Sequence, residues 1–298
     1  MQLYFGNVLT EFDADRRQLR NDGSNNTLLI KTASASFAVS PNKPGSLKDL
    51  MKPVLTLESR DNTRRTNTRA RLTDLTSLMI STPQPAISEP GFSLIYADHA
   101  LLVVNKPGGL LSVPGRGVDK QDCLIKRVQA DYPDALIVHR LDFDTSGLLV
   151  IARGKAMHRR LSIQFQDRRV EKRYIAVVDG ELAQNSGEVC LPLIVDWPNR
   201  PRHKVDFVTG KASLTRYRVL RYDSTRHCSR LELTPETGRT HQLRVHMQAL
   251  GHPILGDSLY ADAMTRTKAD RLLLHAEYLA FAHPESEEPL SFICTAPF

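Results

Sequence analysis

Apolar positions are spread unevenly along this 298-residue chain. From Phe92 onward, short apolar runs alternate with polar turns and with stretches of helical period. In the run SLIYADHALLVVNKPGGLLSVPG, two strand-like segments flank Asp98-His99, and a Pro107-Gly108-Gly109 loop follows. A helix is predicted over 122–131, with Leu124, Ile125 and Val128 on one face. LIVHRLDFDTSGLLVIA then reads as a strand, a polar turn and a second apolar strand. A second helix over 155–166 carries Met157, Leu161 and Phe165 at core spacing. Strands at YIAVVDG, SLTRYRVLRY and RLELTP and a helix through HQLRVHMQAL complete an α+β outline with a mixed, largely antiparallel sheet and flanking helices.

Residues 1–90 contrast with this. No aromatic residue occurs between Phe37 and Phe92, and segments such as ESRDNTRRTNTRARLTD offer little apolar surface to offset the entropy of ordering. A flexible N-terminal extension over 1–90 is predicted, with its Arg64, Arg65, Arg69, Arg71 cluster a solvated tail, followed by a folded domain over 91–298.

Composition narrows the class. There is no apolar stretch near the eighteen residues or so that span a bilayer and no signal core, so a cytoplasmic protein without a membrane partner is expected. The four cysteines are far apart and include no C-x-x-C pair, which argues against a disulfide framework and a cysteine-rich zinc site. A net charge of +7 favours a polyanionic partner, but many basic proteins bind none.

The candidate chemistry sits in four segments. His139-Arg140-Leu141-Asp142-Phe143-Asp144-Thr145-Ser146-Gly147 places charges between two apolar runs, where a turn built only for reversal would use Asn-Gly or Asp-Gly. Asp144, Thr145 and Ser146 read as a side-chain-bonded turn, whereas Arg140 and Asp142 call for a function. In Thr237-Gly238-Arg239-Thr240-His241-Gln242-Leu243-Arg244, Thr240 is expected to cap a helix burying Leu243, Met247 and Leu250. Arg244 near its start either neutralises a buried carboxylate, contacts a phosphate or lies on the surface. His241 and His246 are five apart, off the i, i+4 spacing of a helical zinc pair. Tyr174, in EKRYIAVVDG, either stacks on a base or packs as an ordinary strand residue. The basic loop DWPNRPRHK, with the only tryptophan, is either RNA-facing or a plain loop.

Together these segments resemble the RluA family of RNA pseudouridine synthases. VNKPGGLLSVPG, HRLDFDTSGLLVIA, EKRYIAVVDG, LPLIVDWPNRPRHKV, TGRTHQLRVHMQALGHPILGDSLY and LLLHAEYLAF occur in the family's order across 92–298. The resemblance implies the pseudouridine synthase fold, with a catalytic cleft across the middle of its sheet, and isomerisation of uridine in structured RNA. Asp142 is then the catalytic carboxylate, Tyr174 the ring stacked on the uracil and Arg244 the ion-pair partner of Asp142. Arg140 fills the gap left by a flipped nucleotide, with His139, Arg239 and His241 as further RNA-binding or base-flipping residues, and Leu273 and Leu274 wall the base pocket. No metal or organic cofactor is implied. GLLSVPGR and DWPNRP look like the dual-specificity members, which implies 23S rRNA and the tRNA anticodon stem-loop as partners of a monomeric enzyme.

Larger relatives carry an S4 RNA-binding domain, of which residues 1–90 show no pattern, and Met79 is a candidate natural start. Two rival readings stay open. One is a metal-dependent transferase using the Asp142-Phe143-Asp144 pair, weakened because i, i+2 residues on an extended segment face opposite ways. The other is a noncatalytic RNA-binding protein, which has no use for Asp142.

Overall fold

A computed structural model describes residues 91–298 and, before them, the backbone of five short strands. These are β1 (Gln2–Phe5), β2 (Val8–Phe12) and β3 (Leu19–Gly23) in one antiparallel sheet, and β4 (Leu28–Lys31) and β5 (Ser36–Val39) in a hairpin. The rest of the extension expected over 1–90, including its arginine cluster and Met79, lies outside the described residues. Two units, Met1–Ala86 and Ile87–Phe298, divide the chain.

The second unit is built on one ten-stranded sheet. Its strands are β6 (Ser93–Ala97), β7 (Leu101–Lys106), β8 (Ala135–Ile137), β9 (Ser146–Arg153), β10 (Glu171–Asp179), β11 (Ser186–Cys190), β14 (Leu214–Asp223), β15 (Cys228–Pro235), β16 (Leu274–Ala282) and β17 (Pro289–Ile293). The order is β11-β14-β15-β10-β16-β9-β7-β6, with β17 beside β16 and β8 beside β9. A separate hairpin joins β12 (Leu193–Val195) and β13 (His203–Val205).

The apolar runs became strands for a physical reason: β7 and β9 are almost wholly buried, so nearly every position must be apolar. Helix α1 (Leu124–Asp131) buries Leu124, Ile125 and Val128, each worth about 1.5–3 kcal/mol when fully removed from water, and stops before Pro133. Helix α2 (Gly154–Gln166) buries Leu161 and sets Met157 and Phe165 against the same cluster. Helices α3 (Gln242–Ala249) and α4 (Ala263–Thr267) follow β15.

One pairing sets the position of everything functional. Every strand pair of this sheet is antiparallel except β16 and β9, which run parallel and touch only at His275–Ser146 and Ala276–Gly147. A Cβ on Gly147 would lie 2.4 Å from the Ala276 backbone, and Gly147 has φ +117, so only glycine lets the two halves of the sheet meet there. The HRLDFDTS segment enters β9 at this seam.

Candidate active site

The loop before β9 is held by its backbone rather than by its carboxylates. Ser112 Oγ donates to the Leu141 carbonyl at 2.7 Å and accepts from the Leu141 N–H at 3.1 Å. One residue beyond Asp142, the Phe143 carbonyl accepts from Gly109 N at 2.9 Å and from Lys106 Nζ at 3.1 Å. The NKPGGLLS segment thus clamps the chain on both sides of Asp142. Thr145 N closes the turn onto the Asp142 carbonyl at 3.2 Å.

The Asp142 side chain, 22% exposed, has no hydrogen-bond partner among the described residues; the nearest charge partner is His241 Nε2, 3.9 Å from Oδ1. Around it stand Lys106, Tyr174, His241, Arg244 and Tyr260, all of which feel its charge. Lys106 is fully buried, its Nζ also donating to the Pro107 and Leu110 carbonyls at 2.7 and 2.8 Å. Burial lowers its pKa to about 7, against the opposing pull of Asp142 and Asp144. Tyr174 lies at a β-bulge, opposite Ala276 on β16 and Leu233 on β15, and its hydroxyl is pushed well above the usual phenol range by burial and then by Asp142. Leu141, Ala276 and Tyr174 share one apolar cluster, so the loop, the seam and the tyrosine form a single packed unit.

Arg244 projects from α3 with 2% exposure, and its fork is occupied: Nε and Nη2 each donate at 2.7 Å to the two oxygens of Asp257, itself fully buried. The expected ion pair with Asp142 is therefore not formed among the described residues. A bidentate carboxylate saturates the guanidinium edge, and Asp142 and Asp144 receive its charge through space, Asp144 Oδ2 at 3.9 Å from Nη2. Burial pulls the Arg244 pKa down, but the bonds and field of Asp257, then Asp142 and Asp144, leave it raised.

Thr240 is likewise not the cap of α3. His241 takes that place, in left-handed conformation at φ 55, with no side-chain cap bond. What holds His241 is Tyr260: its hydroxyl accepts from His203 N at 2.8 Å and so donates to His241 Nδ1 at 2.6 Å. That leaves the proton of the neutral ring on Nε2, facing Asp142. Burial, ahead of the counteracting Asp142, lowers the His241 pKa to about 4.

The other expected residues separate. Arg140 is exposed, and Arg239 is exposed with Nε donating to the Ala212 carbonyl at 3.2 Å. His139 is held by the protein: its ring stacks on Phe165 at 4.4 Å, and Nε2 accepts from Val150 N at 3.1 Å. Leu274 is buried in β16 on the same face as Ala276, while Leu273 is half-exposed and bridges Leu255 and Val177 through its backbone. Leu250, expected inward, is only half-buried.

Lys106, Asp257 and Tyr260 were not singled out from sequence, although a lysine ending the apolar run LLVVNK was a usable signal. Nor are Asp144, Thr145 and Ser146 a side-chain-bonded turn: Asp144 faces Arg244, the Thr145 hydroxyl is buried without a partner among the described residues, and Ser146 bonds His275 at 2.7 Å. No helix among the described residues is long and apolar enough to cross a membrane.

Residues 100–249, from the start of β7 to the end of α3, match the family model described as RNA pseudouridylate synthase. The dual-specificity RNA pseudouridine synthase RluA of Yersinia pestis is 52% identical over 69% of this chain and 99% of its own length. That of Escherichia coli K12 is 50% identical over 70% and 95%. Among solved structures, human RNA pseudouridylate synthase domain containing 1 superposes with a TM-score of 0.60 at 32% identity, covering 72% of this chain and 87% of that one. The fold so matched is the α+β pseudouridine synthase fold, and Lys106, Asp142, Tyr174, His241 and Arg244 lie within the residues that the family model matches: the chain belongs to the RNA pseudouridylate synthase family.

Proposed function

We propose that this protein isomerises defined uridines of 23S rRNA and of the tRNA anticodon stem-loop to pseudouridine, with Asp142 as the catalytic carboxylate. The observation that carries the assignment is the contrast at Asp142: backbone clamped at residues 141 and 143, carboxylate without a hydrogen-bond partner among the described residues. A carboxylate kept rigid and unsatisfied in a cleft, near the charges of Lys106 and Arg244, is suited to meet a sugar.

In this reading the uridine is flipped out of its stack, and exposed Arg140 occupies the gap. The uracil stacks on Tyr174 and is walled by Leu273 and Leu274. Asp142 breaks the glycosidic bond, by attack on the sugar or by taking a sugar proton to give a glycal, and the base rotates and rejoins through C5. Tyr174 assists loss of the C5 proton. Arg244, braced by Asp257, sets a fixed positive charge near Asp142. His241 directs Nε2–H toward Asp142, and Arg239 touches the RNA backbone. The enzyme works as a cytoplasmic monomer, with residues 91–298 as its catalytic domain and 1–90 as an extension.

A metal-dependent transferase is disfavoured by the charges present: Lys106, Arg244 and Arg271 all act on Asp142, Asp144 or both, an enclosure hostile to a divalent cation. The test is pseudouridine mapping in anticodon stem-loop and large-subunit rRNA transcripts with wild type and Asp142→Asn in EDTA. Conversion by wild type and none by the variant is expected. RNA binding without conversion by wild type would favour the noncatalytic reading.

A further inference from the structure

A second arginine, half-buried Arg271, lies near Asp144, and its surroundings differ from those of Arg244. An opening of about 360 Å³ beside Asp144 is lined by Gly108, Gly109, Gly256, Arg266, Asp270 and Arg271 among others. Arg271 Nη2 donates to Ser146 Oγ at 2.5 Å, the Ser146 hydroxyl donates to His275 Nδ1 at 2.7 Å, and His275 Nε2–H donates to the Cys294 carbonyl at 2.8 Å. This relay starts at the seam between β9 and β16, so Arg271 is tied to the point where Gly147 meets the Ala276 backbone. Backbone packing adds to it: a Cβ on Gly256 would lie 1.9 Å from the Arg271 carbonyl, and one on Gly108 would lie 3.3 Å from Arg271 Nη2. The ring of Phe298 lies 5.7 Å from the guanidinium.

What this construction lacks is a counter-ion. Arg271 forms no ion pair among the described residues; Asp144 reaches it only through space, and Asp270, though it lines the opening, is not within ion-pair distance. Arg244 shows how a buried arginine is neutralised here, by a bidentate carboxylate. Arg271, half-buried and pre-oriented, has a hydroxyl in that place. A cation held this way gains its partner from outside, and the abundant anion of an RNA substrate is its phosphate.

We propose that Arg271, positioned by Ser146 and His275, binds a backbone phosphate of the RNA next to the uridine that Asp142 attacks. The inference rests on the proposed uridine isomerisation. Arg266, exposed on α4 at the edge of the same opening, supplies a second cation to that strand.

The probe is a uridine-containing anticodon stem-loop transcript, and the readouts are binding as a function of salt and KM against kcat for pseudouridine formation. Arg271→Gln should raise KM about tenfold with kcat nearly unchanged, and flatten the log–log salt dependence of binding by about 0.7–0.9, the share of one phosphate. Arg271→Lys should keep the salt slope and recover part of KM. One methylphosphonate beside the target uridine should weaken wild type to the same degree and weaken Arg271→Gln no further. An unchanged slope and KM in Arg271→Gln, or equal sensitivity of both proteins to every methylphosphonate, would overturn the proposal. Should Arg271→Gln not fold, the methylphosphonate series on wild type and Arg271→Lys decides: no position of distinct sensitivity means no such phosphate site. Wild type that binds but forms no pseudouridine would instead overturn the uridine-isomerase reading, and the binding arm would still report on Arg271.

Discussion

The cleft and the outer strands β11 and β14 use the same side chains to opposite ends. On β14, Arg216 bridges Glu188 at 2.9 Å and Glu236 at 2.5 Å, and Arg218 bridges Glu232 at 3.0 Å, with both arginines more than half exposed. In the cleft, Arg244 and Asp257 form a bidentate pair at 2.7 Å with almost no exposure, and Lys106 is buried with only carbonyl partners. Water screens the Arg216 pairs, so breaking one of them frees two solvated ions, whereas Glu232 is 17% exposed and depends more on Arg218. No water compensates the cleft set, so each partner is obligatory for the other. Distance does not separate the two regions; burial does.

The largest expected effect is collective. His241, His246 and His275 are buried and neutral, each pKa lowered by burial to about 4 from 6.5. Their folded pKa values lie below the unfolded ones, so the stability they contribute is complete above pH 6.5 and is lost as pH falls toward 4. Each adds a slope of up to about 1.4 kcal/mol per pH unit in that window. Melting temperatures between pH 7.5 and 4.5 should fall steeply, and His246→Gln should flatten the curve. A flat profile would show that the inner region takes up protons as readily as the surface.

Asp257→Asn comes next, at about 3–5 kcal/mol, because it leaves the Arg244 charge buried without its partner. For a domain of this size that is a drop in Tm of about 6–20 °C, read by circular dichroism. Loss of pseudouridine formation should accompany it, since α3, His241 and the field at Asp142 all depend on Arg244 staying in place. A loss under about 1 kcal/mol would erase the distinction between the cleft and the surface.

These two regions were not equally legible. The apolar runs of β7, β9 and β10 and the buried face of α1 are local patterns, and reading them needs no knowledge of the rest of the chain. Within the HRLDFDTSG and TGRTHQLR segments, charge between apolar runs marks Arg140 and Asp142 locally, but the role of each site residue comes from resemblance, because no local pattern says what Asp142 or Arg244 meets. Asp257 escaped notice because its meaning is a contact with a helix thirteen residues earlier, formed only once the GDSLY turn folds back. The stacking of His139 on Phe165 is hidden for a related reason: a histidine in a polar loop gives no sign that a ring on α2 will pack against it. The parallel touch of β16 on β9 is the least readable feature, since it joins residues 129 apart in sequence through two pairs.

Gly147→Ala tests that seam and falls between the two extremes, at about 1–3 kcal/mol for strain at positive φ alone. Its Cβ would also press on the Ala276 backbone, which cannot yield without shifting β16. Chemical denaturation gives the stability. Pseudouridine formation should fall more than stability predicts, because Ser146, Arg271 and the loop carrying Asp142 are registered to that contact. Activity that merely follows the folded fraction would mean that the seam supports the fold without positioning the site.

Arg216→Ala should do least. Its two carboxylates, Glu188 and Glu236, remain in water after the change, and the strand pairing of β14 with β11 and β15 does not use the side chain. A loss within about 1 kcal/mol is expected, shrinking further at high salt, where the screening length falls to a few ångströms. A salt-independent loss of several kcal/mol would show that a short, two-pronged surface pair can act like a buried one. The value of Arg244 would then lie in its bidentate geometry rather than in the exclusion of water, and Asp257→Glu, which keeps the charge but moves the fork, should prove as damaging as Asp257→Asn.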